Sequence, residues 1–170
     1  MSENPVVRAV RPDVRKELLA ADDAGRAAEP FVDEEGGAPL RCCLRRSAPG
    51  ERIALVTYAP LRRRAGATGT DPGAYDEQGP VFLHADECPD DPYDPYPFGG
   101  AHRVLRRYSH DGRILGGTLV GPGGIAAGVR DALDGPDVAF VHVRAVEYGC
   151  FLYEVTRADQ PFSYEVARAD

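Results

Sequence analysis

The sequence predicts an α+β fold: a mainly antiparallel sheet of hairpins with two short helices and long Pro/Gly-rich loops. Three observations predict it. Apolar, β-capable runs recur in neighbouring pairs separated by turn residues. Helical spacing occurs in only two stretches, one near the start and one after residue 124. Gly (19) and Pro (15) make up a fifth of the 170 residues, too many turn formers for long helices. The length is that of one domain, read as an N-terminal arm and helix over 1–37, a core over 38–157 and a tail over 158–170.

The first thirty residues read as a strand or arm followed by a helix, with Asp13 as N-cap and Val14, Leu18 and Leu19 on one buried stripe. Residues 33–39 are a turn-rich linker. Leu40 to Arg45 and Ile53 to Tyr58 read as strands flanking Ala48-Pro49-Gly50-Glu51, the pattern of a hairpin. Residues 61–79 show no periodicity and read as an exposed loop, and 80–85 (PVFLHA) as a short buried strand. Residues 86–100 hold four prolines and five acids and form a second long loop.

The second half is more regular. Arg103–Tyr108 and Arg113–Val120 flank Asp111-Gly112, a pair suited to the positive φ angles of a two-residue turn. Ile125–Leu133 is the second helix. Val138–Arg144 and Cys150–Arg157 form a last hairpin, and Phe162–Val166 reads as an edge strand.

Hydrophobic (43%) and charged (28%) shares near globular averages exclude disorder of the whole chain. A net charge of −7 argues against binding to nucleic acid, whose phosphates demand a basic face. One Lys against nineteen Arg carries the bias of a GC-rich bacterial genome. Neither a signal peptide nor an apolar run of membrane-spanning length is legible, so the expected compartment is the cytoplasm, with no membrane partner. Four cysteines there are expected as reduced thiols. Oligomeric state is not legible.

The last hairpin is the most informative stretch for function. Side chains alternate faces along a strand. If Ala139, Val141 and Val143 face the core, His142 and Arg144 point the other way, together with Cys150 and Glu154 of the partner strand. An imidazole beside a thiol is the arrangement of nucleophilic catalysis, with Cys150 as nucleophile, His142 as base and Arg144 holding an anionic group. The bland alternative is an ordinary solvated sheet face carrying a filler cysteine.

His84-Ala-Asp-Glu-Cys88 places a second imidazole and thiol at a strand end beside a long loop. The spacing has a zinc-ligand look, and His142 and Cys150 would complete a two-His, two-Cys set. No close Cys-x2-Cys pair supports it, so neither metal nor other cofactor is expected. Cys42 and Cys43 are adjacent, and in an extended strand they would point to opposite faces, one of them reaching Arg41 or Arg45. Gly121-Pro-Gly-Gly-Ile-Ala126 matches a dinucleotide fingerprint formally. The parallel βαβ unit and the acid that such a site needs are missing. The acids of 86–94 lack the spacing of a calcium loop.

At three places the chain resembles a bacterial family, the domain of unknown function 1203. The pieces are Arg41-Cys-Cys-Leu-Arg45 with Gly50-Glu51; Gly79-Pro-Val-Phe-Leu-His-Ala-Asp-Glu-Cys88; and Val141-His-Val-Arg144 with Gly149-Cys150 and Arg157. The resemblance runs from about residue 38 to 157. It implies that a thiol of the first piece, His84, Cys88, His142, Arg144 and Cys150 are signature positions. Ala145 stands where the family pattern has Asn, which puts a polar role there in doubt. The resemblance implies no activity. The reading carried forward is a pocket for a small anionic ligand, lined by Cys150, His142, Arg144, His84, Cys88 and Cys43, with thiol chemistry in its catalytic version. The alternatives are a non-catalytic interaction module and a His/Cys zinc site.

Overall fold

A computed structural model describes residues 4–89, 91 and 93–160. Two antiparallel sheets carry the fold. The larger is built from β1 (Val6–Arg8), β5 (Arg103–Tyr108), β6 (Ile114–Val120), β7 (Phe140–Ala145) and β8 (Phe151–Thr156), in the order β1-β8-β7-β5-β6. The smaller is β2 (Phe31–Asp33), β3 (Glu51–Tyr58) and β4 (Gly79–His84), with β3 central. Three helices complete it: α1 (Pro12–Ala20), α2 (Pro60–Thr68) and α3 (Ile125–Leu133). The α+β reading with a mainly antiparallel sheet holds.

The long-range logic is that each sheet buries a face under a helix. The apolar stripe Ile125, Val129, Ala132 and Leu133 of α3 packs on Leu105, Val141, Val143 and Val155 of the large sheet. Val14 and Leu18 of α1 pack on Ala54, Val56, Val81 and Leu83 of the small one, and Phe151 joins that cluster from the large sheet. Pro12 opens α1 at its first position, where the missing N–H costs nothing. Asp13 therefore lies in the first turn, not at the N-cap; Arg11 precedes the helix without a side-chain cap.

Three further local expectations change. The stretch 61–79 is not a loop throughout. It holds α2, entered by Pro60 and closed by Gly69 at φ +71, and a single 3-10 turn at Gly73–Tyr75. Its buried side chains are Pro60, Leu61 and Arg64, so one of the inward positions is an arginine and no apolar stripe marks the helix in the sequence. Leu40 to Arg45 is not a strand. The Leu44 N–H donates to the Leu40 carbonyl (3.0 Å), the Leu40 N–H to that of Arg45 (2.9 Å), and Leu44 takes φ +54. A tight turn results, and β3 pairs with β2 and β4 instead. The β5–β6 connection is wider than two residues. The Ser109 N–H donates to the Arg113 carbonyl and Gly112 takes φ +85, giving a three-residue loop with glycine at the left-handed position. The predicted strand 162–166 lies outside the described residues.

Candidate metal centre

The turn at 40–45 is docked on β4. The Arg41 N–H donates to the Phe82 carbonyl at 3.0 Å, and Leu40 bridges Phe82 in parallel. Two residues further along β4 stands His84, so the docking brings Cys42 and Cys43 beside its ring. Neighbouring residues in a turn are separated by far less than the half rotation of a strand. Both cysteines therefore reach the same imidazole, not opposite faces. After His84 the chain turns, with the Ala85 N–H on the Arg52 carbonyl, and Cys88 comes back over the ring.

The resulting cluster is small. Nδ1 of His84 lies 3.6 Å from Cys42 Sγ, 3.8 Å from Cys43 Sγ and 3.3 Å from Cys88 Sγ. All four atoms fall within 4.8 Å of one another. Nε2 of His84 donates to Glu51 Oε2 at 2.9 Å, because a carboxylate only accepts, and Nδ1 faces the sulfurs. The backbone N–H of His84 donates to Cys42 Sγ at 3.3 Å. Arg15 of α1 ties the turn from below, giving hydrogen bonds to the carbonyls of His84 (2.9 Å) and Asp86 (2.8 Å).

Hydrogen bonds among the sulfurs split their acidities. Those from Cys42 and Cys88 hold the Cys43 thiol far below its usual range, at about 2. Cys42, donating to Cys43, is pushed up to about 11. Cys88 is pushed up by its bonds to Cys42 and Cys43. The three sulfurs thus ionise as one coupled group. A groove of about 490 Å³ lined by Cys42, Cys43, Cys88 and Tyr93 gives an ion a path in.

The remaining candidates lie elsewhere. His142 is 1% exposed, and the face it shares with Glu154 is not solvated. Its Nε2 donates to Glu154 Oε2 at 3.1 Å, and Glu154 also accepts from Arg64 of α2 at 2.7 Å. Arg64 stacks on Phe140 at 3.8 Å, and Tyr108 and Phe151 close in on the imidazole at 4.7 and 4.8 Å between ring centroids. Burial lowers the His142 pKa. Burial opposes the Glu154 charge, but His142 and Arg64 outweigh it and hold that carboxyl below its usual range. Arg144 pairs with Glu77 at 2.9 Å and donates to the Gly149 carbonyl.

Cys150 does not join His142. A bulge between Val143 and Arg144 sets Arg144 opposite Phe151, so one residue of β8 is extra. The parity reverses there. Phe151 lies on the His142 face, and Cys150 lines a cleft with Ala145 and Leu152. Its thiol donates to the Tyr148 carbonyl at 3.6 Å. The structure thus assembles Cys43, His84 and Cys88 of the predicted set and adds Cys42. It leaves His142, Arg144 and Cys150 in other surroundings. Glu51 was missed as the partner of His84, although Gly50-Glu51 was legible as a motif. Arg64 was missed because its helix was.

The model of one family, proteins of unknown function DUF1203, matches residues 37–157. The chain belongs to that family. No curated protein and no solved structure matches it. The stretch shared with the DUF1203 family contains all four members of the Cys/His cluster, Glu51, and the His142–Glu154 pair. No described helix is long and apolar enough to cross a membrane.

Proposed function

We propose that this chain is a zinc-binding protein whose centre is formed by Cys42, Cys43, His84 and Cys88. One observation carries the reading: the three sulfurs stand 3.3–3.8 Å from a single imidazole nitrogen. A tetrahedral ion with Zn–S of about 2.3 Å and Zn–N of about 2.0–2.1 Å has S–N edges of about 3.5 Å. The separations are those of ligands around an ion. Glu51 on the far nitrogen supplies the carboxylate–histidine–zinc arrangement that fixes tautomer and ring orientation. Three thiolates and an imidazole favour zinc over the oxygen-preferring ions.

Four protein ligands make the centre a structural clamp, since a catalytic zinc keeps a position open. The clamp joins the turn at 40–45 to the start of the long loop after β4. A reducing compartment such as the cytoplasm suits three thiols lying this close. The pocket of Cys150, His142 and Arg144 carries no comparable observation, because His142 is enclosed by aromatic rings and committed to Glu154.

Elemental analysis tests the proposal. Protein purified without chelator should hold near one equivalent of zinc, and Cys42→Ser with Cys88→Ser should lose it. Cobalt in its place should give the intense visible bands of a tetrahedral thiolate site. Folded protein without metal that takes up none on addition of zinc would end this reading.

A further inference from the structure

A cleft of about 620 Å³ lies between the two sheets, lined by Arg41 of the 40–45 turn but not by Cys42, Cys43 or Cys88. Its walls are largely apolar, with Phe31, Leu55, Phe82 and Leu152. Such a volume suits a small molecule. Phe31 and Leu55 remain 44% and 51% exposed, so the apolar wall faces the cleft uncovered.

Into this wall the turn sets Arg41, which is 3% exposed. Nε of Arg41 donates to the Phe151 carbonyl at 2.8 Å and one terminal nitrogen to the Pro39 carbonyl. No carboxylate pairs with it among the described residues. The two acids of the cleft are engaged: Asp33 accepts from Ser47 (2.5 Å) and the Gly36 N–H (3.0 Å), and Glu147 faces Arg103 at 3.5 Å. Buried charges in folded proteins are paired, because an uncompensated one costs several kcal/mol. A guanidinium stays cationic at neutral pH. A second cation, Arg46, stands over Phe98 at 5.5 Å in the same lining.

We infer that the cleft binds a small organic anion, a carboxylate or related acid group carried on an apolar body. The acid group is the missing partner of Arg41, and the body lies along Phe31, Leu55 and Phe82. The inference stands apart from the metal centre.

The test uses the full chain, its zinc content measured alongside, and the fluorescent aromatic sulfonate 8-anilinonaphthalene-1-sulfonate as probe. Its uncharged counterpart N-phenyl-1-naphthylamine controls for apolar contact alone. The sulfonate should bind the folded protein saturably at one site, and Arg41→Met should weaken it by about tenfold or more, the loss expected for a charge-assisted contact. The uncharged dye should keep its affinity in that variant. Leu55→Glu, on an exposed position, adds a like charge to the cleft and should also weaken the sulfonate, which keeps the test decisive if Arg41→Met does not fold. Bound sulfonate should shield Cys150, in the cleft wall, from iodoacetamide. Absence of saturable binding overturns the inference. So does an affinity unchanged in Arg41→Met or, should that variant not fold, in Leu55→Glu. One equivalent of zinc in protein that fails this test would leave the metal reading standing.

Discussion

His84 and His142 each set Nε2 against a carboxylate, Glu51 at 2.9 Å and Glu154 at 3.1 Å, and each leaves Nδ1 as the second nitrogen. Around His84 that nitrogen meets three sulfurs at the end of a strand, beside a groove. Around His142 it meets aromatic rings and has no hydrogen-bond partner among the described residues. The carboxylates differ in the same sense, Glu51 being 38% exposed and Glu154 13%. An imidazole–carboxylate pair therefore does not define a site. The surroundings of the second nitrogen do: soft donors make a ligand set, and an apolar enclosure makes a structural pair whose value is in packing and charge compensation.

Removing each carboxylate separates the two roles, and gives the largest expected effect. Glu154→Ala removes the buried carboxylate that His142 and Arg64 share and should cost about 3–5 kcal/mol of unfolding free energy, measured by urea denaturation. Glu51→Ala, measured on the metal-free protein in chelator, should cost less than about 1 kcal/mol, as for other exposed ion pairs. Its effect should fall on the metal instead, with zinc affinity lowered about 10- to 100-fold in a chelator competition. The reverse order of costs would break the distinction.

The pH dependence of stability sharpens the same contrast. Burial lowers the folded-state pKa of His142 below its usual 6.5. Between the two values the unfolded chain takes up a proton that the folded chain refuses. Stability is therefore full above about pH 6.5 and falls as the pH drops from there, by up to about 1.4 kcal/mol per pH unit. Glu154 acts in the same direction at lower pH, its lowered pKa giving stability that is present above its usual 4.5 and lost as the pH falls through the folded value. Replacing His142 with Gln, which keeps a donor for Glu154, should flatten the limb just below pH 6.5. An unchanged limb in denaturation curves measured across that range would mean that His142 is protonated in the folded state.

Much of this was legible because it is local. The strands β5 to β8 and α3 follow from period and turn residues lying within a few positions of one another. His84-x3-Cys88 was legible as a ligand pair for the same reason. What was hidden depends on partners far along the chain. Helix α2 shows no apolar stripe because Arg64, one of its buried residues, is matched by Glu154 ninety positions later. The strand-like text Leu40–Arg45 becomes a turn because the edge of β4 takes its backbone, and the turn decides that Cys42 and Cys43 point together. Strict alternation put Cys150 with His142, and a single extra residue in β8 parts them.

That bulge leads to the smallest expected effect. With metal in place, Cys42, Cys43 and Cys88 should resist alkylation, since ligated thiolates are shielded by the ion and Cys43 is buried besides. Cys150 is half-buried in the cleft wall, with its thiol on the Tyr148 carbonyl and no imidazole contact. It should be the cysteine that iodoacetamide modifies in the folded protein, mapped by mass spectrometry. Because Phe151 and not Cys150 shares the His142 face, His142→Gln should leave the rate of that modification unchanged, within about twofold. A proton-accepting His142 would slow it far more on removal, by the roughly hundredfold or greater contribution of a general base. A rate that collapses in His142→Gln, in protein still folded by circular dichroism, would return the two residues to one site and undo the separation of the histidines argued above.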